Sequence, residues 1–407
     1  MPIPKIGEYP MPLRPVADRL PMTTPRGTDE TDEVAGPERR LRRPRRGRGV
    51  RRALLVFVVL VQLVTTSIVA AALGSAGADP AAVKLAEWAR DHGMNWLVTG
   101  LERVTYAADR PVLGGAPVGG IPTAAGAVGE KSTAPPLAPL AGGASLPGEG
   151  VWQTVVAAHG RPAVQVTTLR VDDEHTAFLA GVMRMDPRLV RGQLHPGTND
   201  PGGSWVASTS LAGAAGVDVV AAFNGGFKLS DPSHNGYYSQ GRTVAPLLEG
   251  KASLVLHSDG IADVGAWGTE VRMASDVASV RQNLTPLVDG GALNQTCASG
   301  GTHEWGSTIG QAAFVHRSGF GVTADGAEIY VGGPALSVCT LGRILIDAGV
   351  VRGMELDINP NWVSGTYYHV HAGRPPQGFR LFPAEQVGPQ HYLSASSRDW
   401  YAWYLRN

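Results

Sequence analysis

The sequence predicts a β-rich domain with a few helices, preceded by one transmembrane helix. Three observations support this fold class. Glycine (53 of 407 residues) and proline (30 residues) are abundant, which favours loop-rich β structure over a helical bundle. After residue 150, short β-branched runs alternate with turn signals such as Ser258-Asp259-Gly260 and Asp325-Gly326. An uncharged apolar stretch occupies residues 53–73.

Residues 1–52 are predicted to form a disordered cytoplasmic tail. The first 38 residues are proline-rich and polar, so they cannot bury enough apolar surface to fold. Arginine is then concentrated between Arg39 and Arg52, directly before the apolar stretch. Because the formal net charge of the chain is zero and the arginines abut a membrane segment, we expect no nucleic-acid partner.

Residues 53–74 are predicted to form the transmembrane helix. The stretch is long enough for the roughly 20 residues that span a bilayer core. The arginine cluster places its N-terminal side in the cytoplasm, which predicts a single-pass signal-anchor protein of the cell membrane with an extracytoplasmic C-terminal domain. Membrane lipid is therefore an expected partner. The alternative is a cleaved signal peptide, because small residues up to Ala78 offer a cleavage site.

Three regions follow the predicted membrane helix. Residues 79–110 are predicted to form short amphipathic helices, since Asp79-Pro80 is typical of a helix N-terminus. Residues 111–150 are rich in glycine, proline and alanine and are predicted to be a linker. Residues 151–407 are predicted to form the extracytoplasmic domain, where Cys297 and Cys339 are free to pair or to remain reduced.

Inside this domain, a buried strand at 219–224 ends on Asn224-Gly225-Gly226, where bare backbone allows a ligand to approach closely. An apolar helical stripe at 336–348 ends at Gly349. A last strand at 353–358 follows the helix.

The candidate catalytic residues are Glu355, Asp357 and Arg317. The two carboxylates are two residues apart, so on a strand both point to the same face and line a cavity. The solvent-exposed face of an edge strand is the alternative. Arg317 precedes another strand and is suited to clamping a phosphate, although a surface ion pair is the commoner role of a lone arginine.

Further candidate binding groups lie on loops or at strand ends: Arg242, His316 and His303. His369 and His371 form an i, i+2 pair that suits a metal, but the sequence marks no third ligand. We therefore expect neither a metal nor another cofactor. The sequence contains neither a P-loop nor a G-x-S-x-G elbow.

Residues 215–385 resemble the phosphodiester glycosidase family. The resemblance rests on the order of five elements: Phe223-Asn224-Gly225-Gly226-Phe227, the hairpin at 254–264, the arginine segment at 317–322, the helix at 336–348 and Glu355-Leu356-Asp357. The sequence departs from the family pattern at Glu355, which replaces an asparagine. It departs again at Ile358-Asn359-Pro360-Asn361, which replaces a glycine-rich run.

The resemblance implies an α+β domain with a mixed, strongly bent β-sheet. It also implies a hydrolase that cleaves the sugar C1–phosphate bond of a sugar-1-phosphodiester in envelope glycans. Asp357 would then be the main catalytic carboxylate with Glu355 as its partner, and the phosphate would bind arginine. The residues expected to bind substrate are Asn224, Gly225, Gly226, Arg242, His316 and His303, with Arg317 as the catalytic cation.

The sequence is also compatible with two other functions. The first is a non-catalytic glycan-binding or polysaccharide-assembly protein of the same fold, which the altered segment after Asp357 favours. The second is a metal-dependent phosphodiesterase that uses Glu355, Asp357 and the pair His369 and His371.

Overall fold

The computed structural model describes residues 47–74, 79–94, 96–101, 110–129, 132, 134–233, 235–371 and 373–406. The predicted cytoplasmic tail up to residue 46 lies outside this range. Helix α1 (Gly47–Leu73) contains a segment, Gly49–Leu73, that is long and apolar enough to cross a membrane. The predicted apolar helix is therefore confirmed, and its orientation stays a prediction.

A second helix follows the predicted membrane segment. Helix α2 (Ala81–Asp91) buries Val83, and residues 96–101 are also helical. Between residues 110 and 150 the described residues contain no helix or strand. In this stretch Leu137 is buried, and its amide donates to the carbonyl of Gly150 at 2.9 Å.

The rest of the described chain is mostly β-structure. The strands, in chain order, are β1 (Gln153–Ala158), β2 (Arg161–Arg170), β3 (Leu179–Met185), β4 (Val190–His195), β5 (Val219–Asn224), β6 (Tyr237–Ser239), β7 (Arg242–Ala245), β8 (Ala252–His257), β9 (Ala262–Ala266), β10 (Val277–Gln282), β11 (Pro286–Asp289), β12 (Ala292–Leu293), β13 (Val315–Thr323), β14 (Glu328–Leu336), β15 (Val350–Glu355), β16 (Gly365–His369), β17 (Gln377–Arg380) and β18 (Trp400–Leu405).

The described strands form three sheets. Their strand orders are β1-β2-β3-β14-β13-β15-β11-β12, β7-β6-β10-β8-β9 and β17-β16-β5-β18-β4. Every pairing between these strands is antiparallel, so the expectation of a mixed sheet is wrong for the described part of the chain. Antiparallel neighbours need only short turns, such as those of the β8–β9 and β13–β14 hairpins. The sheets are also not strongly curled, contrary to the expected strong bend.

A stack of aromatic rings joins two of the sheets. The ring of Phe223 on β5 lies 4.4 Å from that of Tyr330 on β14 and 4.7 Å from that of Trp403 on β18. All three side chains are buried, and each aromatic ring removes a large apolar area from water. This packing holds the end of β5 against the sheet that contains β13 and β15.

Helix α3 (Val338–Asp347) covers the other face of that sheet's core. The hydroxyl of Ser337 caps the helix by accepting from the amide of Thr340 at 3.0 Å. Leu341, Ile344 and Leu345 are buried, as the helical stripe predicted. The chain leaves the helix through Gly349 at a φ of 90°, a conformation that glycine adopts without strain.

Cys297 and Cys339 form a disulfide, which answers a question that the sequence left open. The bond joins α3 to the loop that follows β12. The two cysteines are 42 residues apart, and closing a loop of this length in the unfolded chain stabilises the fold by about 4 kcal/mol in the chain-entropy model.

Candidate active site

The candidate site lies where β5 and β15 end beside the first residues of β13. Asn224 is the last residue of β5, and its side-chain amide donates to the hydroxyl of Ser318 at 2.9 Å. Its carbonyl oxygen accepts from Tyr330 at 2.8 Å and from the amide of Ser364 at 3.1 Å. The hydroxyl of Ser318 in turn donates to the carbonyl of Asp357 at 3.1 Å. Asn224 therefore fixes the position of Asp357 through Ser318.

Positions 225 and 226 require glycine because neighbouring side chains of the protein leave no room for a Cβ atom. A Cβ added to Gly225 would lie 2.5 Å from Oδ2 of Asp399, and one added to Gly226 would lie 2.9 Å from Oδ1 of Asn283. The same Asn283 oxygen accepts from the amide of Phe227 at 3.0 Å. Asp399 and Asn283 thus pack against one side of the turn. The other side of the turn borders a cavity.

A buried ion pair supports this turn. The Nε and Nη2 atoms of Arg281 lie 2.8 and 3.2 Å from the two carboxylate oxygens of Asp399. Arg281 also donates to the carbonyl of Phe227. Burial raises the pKa of Asp399, while Arg281 opposes that effect. Since both side chains are inaccessible to solvent, this bidentate pair is part of the scaffold.

Asp357 lies two residues beyond the end of β15 and borders the cavity. Its Oδ1 accepts from the amides of Ile358 and Asn359 at 2.7 and 2.8 Å, and its Oδ2 is 3.4 Å from Nη2 of Arg398. Burial raises the pKa of Asp357, and Arg398 and the two amides partly offset this. One carboxylate oxygen is therefore fixed by the backbone, and the other faces a cation.

The cavity beside Asp357 is small. Its volume is about 10 Å³, close to the space that a single water needs. Its lining combines the turn after β5 with residues near the C-terminus: Asn224, Gly225, Gly226, Asp357, Trp362, His391, Tyr392, Ser396, Arg398, Asp399 and Trp400. The structure thus brings four of the predicted site residues together.

Glu355 and Arg317 pair with each other beneath this site. Arg317 donates from Nη1 to Oε1 of Glu355 and from Nε to the carbonyl of Leu336 at 2.9 Å. The side chain of Glu355 is 0% exposed and that of Arg317 is 3% exposed. Burial raises the pKa of Glu355, and Arg317 opposes the effect. Neither side chain belongs to the cavity lining.

The remaining predicted residues lie elsewhere. Arg242 is exposed on β7, where its guanidinium stacks 4.0 Å from the ring centroid of Trp205. His316 lies 3.4 Å from the carbonyl of Ala384, and burial lowers its pKa. His303 is exposed in the helical turn Thr302–Trp305. None of the three lines the cavity.

Arg398 is the main site residue that the sequence analysis missed. Its guanidinium lies 4.9 Å from the ring centroid of Trp362, and Nη2 is 3.3 Å from the carbonyl of Gly226. Its buried Nε has no hydrogen-bond partner among the residues that the structure describes. The available signal was Arg398-Asp399 directly before the aromatic strand β18, a place where charges need a structural reason.

Arg398 also borders a second, larger cavity of about 420 Å³. The lining of this cavity is polar and charged on several sides: Glu87, Asp91, Asn199, Asp200, Pro201, Lys228, Leu229, Ser230, Val244, Ala245, Ser397 and Arg398. A cavity of this size lies in the range of small-molecule sites, roughly 300–1,000 Å³.

The histidine pair of the metal hypothesis is not part of a ligand cluster. In the described part of the chain, no group of three or more His, Cys, Asp or Glu side chains could hold a metal ion. The ring of His369 packs 4.9 Å from that of Phe379, and its Nε2 is 3.1 Å from the carbonyl of Val155.

Comparisons with known proteins gave structural likenesses alone. No family model matches the chain, and no curated protein matches it. The catalytic domain of zebrafish N-acetylglucosamine-1-phosphodiester α-N-acetylglucosaminidase, auto-inhibited by its pro-peptide, is 16% identical over 61% of this chain and 86% of that chain, with a TM-score of 0.40. A hypothetical protein from Synechocystis is 13% identical over 62% and 65% of the two chains, with a TM-score of 0.35. A putative exported protein from Burkholderia pseudomallei is 11% identical over 56% and 74%, with a TM-score of 0.33. At these scores the likenesses carry no argument about activity.

Proposed function

We propose that the protein is a membrane-anchored extracytoplasmic hydrolase that cleaves the sugar C1–phosphate bond of a sugar-1-phosphodiester in envelope glycans. One observation carries the proposal: Asp357 and Arg398 meet at a cavity beside the Asn224 turn. A carboxylate stabilises the positive charge that develops on a sugar during glycoside cleavage. A cation stabilises the negative charge on the departing phosphate. The resemblance of the Asn224 turn to that of phosphodiester glycosidases supports the same reaction.

The chemistry fits one carboxylate and one cation at the lining of the cavity. The departing phosphate monoester takes the electrons of the C1–O bond and is a much weaker base than an alkoxide, so it needs little help from a general acid. Water supplies the new oxygen on C1. Asp357 acts on C1 or on that water through Oδ2, since Oδ1 is held by two backbone amides.

Glu355 and Arg317 have a supporting role in this proposal. Their buried pair anchors the end of β15 to the first residues of β13, two residues before Asp357. We therefore assign the phosphate to Arg398 and not to Arg317, because the donors of Arg317 point to internal acceptors.

The larger cavity provides the route for substrate. A sugar ring does not fit in about 10 Å³, so it has to enter from the neighbouring cavity of about 420 Å³ while Arg398 shifts. Both cavities include Arg398 in their lining, which makes this residue the boundary between them.

The proposed location rests on α1 and the disulfide. The arginine cluster before the apolar segment favours a cytoplasmic N-terminus. A disulfide between Cys297 and Cys339 is expected in an oxidising compartment outside the cytoplasm. The proposed partners are an envelope glycan and membrane lipid, with no nucleic acid.

A non-catalytic glycan-binding protein is the second candidate. The observation that favours it is the small size of the cavity beside Asp357, together with the full use of the Asn224 amide by the protein itself. Such a protein would bind the same sugar phosphate and release no product.

The test uses the full-length chain in detergent, an aryl sugar-1-phosphodiester and water labelled with oxygen-18. We expect release of the aryl phosphate and a sugar that carries the label on C1. Label in the phosphate would instead indicate a phosphodiesterase and contradict the proposal. Saturable binding with no product would favour the non-catalytic candidate.

A further inference from the structure

Helix α2 places a carboxylate inside the larger cavity. The carboxylate of Glu87 forms an ion pair with Nζ of Lys228, which also lies 3.2 Å from Oδ1 of Asp91. The side chain of Glu87 is 16% exposed, whereas that of Asp91 is 60% exposed. Glu87 is therefore the inner acid of the pair, and Asp91 lies at the rim.

Two further cations act on Glu87. Nη1 of Arg90, on the same helix, lies 3.1 Å from Oε1 of Glu87, and Arg398 lines the same cavity as Glu87. Burial tends to raise the pKa of Glu87, but Arg398, Lys228 and Arg90 together outweigh burial and lower the pKa below its ordinary value. Lys228 and Arg398, which lie outside α2, thus stabilise the same negative charge as Arg90 of the helix. The Nε of Arg398 remains a buried donor without a partner among the described residues, so the cation pair has hydrogen-bonding capacity left.

We propose that Lys228 and Arg398 form the binding site for the anionic group of the substrate, and that Glu87 occupies this site in the resting chain. The inference rests on the proposed function, because the anion would lie next to Asp357. The ligand is a singly charged oxyanion, either the phosphodiester itself or the carboxylate of an acidic sugar. Binding displaces the Glu87 carboxylate and moves α2 away from the cavity.

Two features distinguish this arrangement from a simple ion pair that docks a helix. Arg398 borders two carboxylates, since its Nη2 is 3.4 Å from Oδ2 of Asp357 and it lines the same cavity as Glu87. The surrounding cavity of about 420 Å³ is far larger than a carboxylate needs. A docking contact requires neither a shared cation nor this space.

Calorimetric titration of the full-length chain in detergent tests the proposal, with dimethyl phosphate and glucuronate as separate probes. We expect Glu87→Gln to bind the preferred probe at least tenfold more tightly than the unaltered chain, because the internal competitor has lost its charge. Lys228→Met should lose most of the affinity for the probe, and so should the double variant that combines Glu87→Gln with Lys228→Met. Lys251→Met is the matched control, since this half-buried lysine lies outside the cavity lining and donates to the carbonyl of Ser233.

The outcomes separate the binding site from the reaction. Tighter binding of dimethyl phosphate assigns the site to the phosphodiester, and tighter binding of glucuronate assigns it to an acidic sugar. If Glu87→Gln lowers the melting temperature but leaves both affinities unchanged, the ion pair only docks α2 and the inference is overturned. If Glu87→Gln binds a probe more tightly but the chain hydrolyses no substrate, the binding site is supported and only the proposed function is rejected. Hydrolysis whose KM is unchanged in both single variants would reject the site alone.

Discussion

Glu355 and Asp357 are two residues apart, and each is buried and paired with an arginine, yet their surroundings differ. Glu355 is 0% exposed and bonded to Arg317, whose other donors reach backbone carbonyls. Asp357 lies 3.4 Å from Arg398 and borders a cavity. β15 ends at Glu355, so the alternation of side chains along a strand no longer sets the direction of Asp357.

Electrostatics alone does not separate the two carboxylates. Burial raises the pKa of both, and an arginine opposes the effect in each case. The two residues differ in the surroundings of their second carboxylate oxygen. Oε2 of Glu355 is buried away from the cavity, whereas Oδ2 of Asp357 faces Arg398 at the cavity. A shifted pKa therefore marks a buried acid, and a neighbouring cavity is needed to mark a reacting one.

The largest expected effect follows removal of the Asp357 charge. Asp357→Asn should lower kcat by roughly 10³-fold, within the range that a positioned acid or base contributes. The matched variant Glu355→Gln should keep most of its kcat/KM, because it removes a carboxylate that does not reach the cavity. Initial rates on the aryl sugar-1-phosphodiester measure both. Equal losses of activity in the two variants would contradict the different roles assigned to Asp357 and Glu355.

Removal of Arg317 should affect stability more than chemistry. Arg317→Met leaves Glu355 buried without a cation, which should lower the free energy of unfolding by about 3–5 kcal/mol. Urea unfolding of the full-length chain in detergent measures the loss. The double variant Arg317→Met/Glu355→Leu should recover most of the stability, since an apolar pair replaces the ion pair. A double variant no more stable than the single one would contradict this explanation.

Removal of Arg398 should slow the reaction and change its pH dependence. Arg398→Met should lower kcat by about 10²–10³-fold, as loss of one charge-stabilising donor commonly does. The rate needs ionised Asp357, so it rises as pH rises through that pKa. Because Arg398 lowers the pKa of Asp357, the acid limb should move to higher pH in the variant.

The control for this prediction is Arg380→Met, which removes an exposed arginine on β17. Its pH–rate profile should match that of the unaltered chain. An acid limb that stays in place in Arg398→Met would show that another group controls the ionisation that limits the rate.

A smaller effect is expected at Ser318, which links Asn224 to Asp357. Ser318→Ala leaves the Asn224 amide without its 2.9 Å acceptor, a buried loss that typically costs about 1–3 kcal/mol. The stability loss should stay below that of Arg317→Met, and kcat should fall because Asp357 is positioned less firmly. Unchanged kcat at reduced stability would show that Ser318 supports the fold alone.

The sequence predicted the local elements of the site well. The apolar run of β5 and its Asn224 turn, the two hairpins and α3 with Gly349 after it are all present. Each depends on neighbours within one element: residue alternation, helical periodicity or a turn residue. Such patterns are visible in a single chain because the interactions are local.

These local patterns could not predict which residues pair with the side chains of the site. Arg281 pairs with Asp399 across 118 residues, and Asp357 meets Arg398 across 41 residues. Neither pairing leaves a periodic signal, since each depends on how separate sheets pack. The same reason explains why Arg317 looked available for phosphate: its burial follows from β14 and β15 beside it.

A crystal structure of the full-length chain carrying Glu87→Gln and Asp357→Asn, with an uncleaved sugar-1-phosphodiester bound, would show whether residue 357 faces the reacting carbon of the sugar. We predict that a side-chain oxygen or nitrogen at position 357 lies within about 3.5 Å of the sugar C1, the separation expected of reacting atoms, with the phosphate on Arg398. A sugar C1 nearer to Glu355, or a sugar bound away from both cavities, would contradict the catalytic role of Asp357.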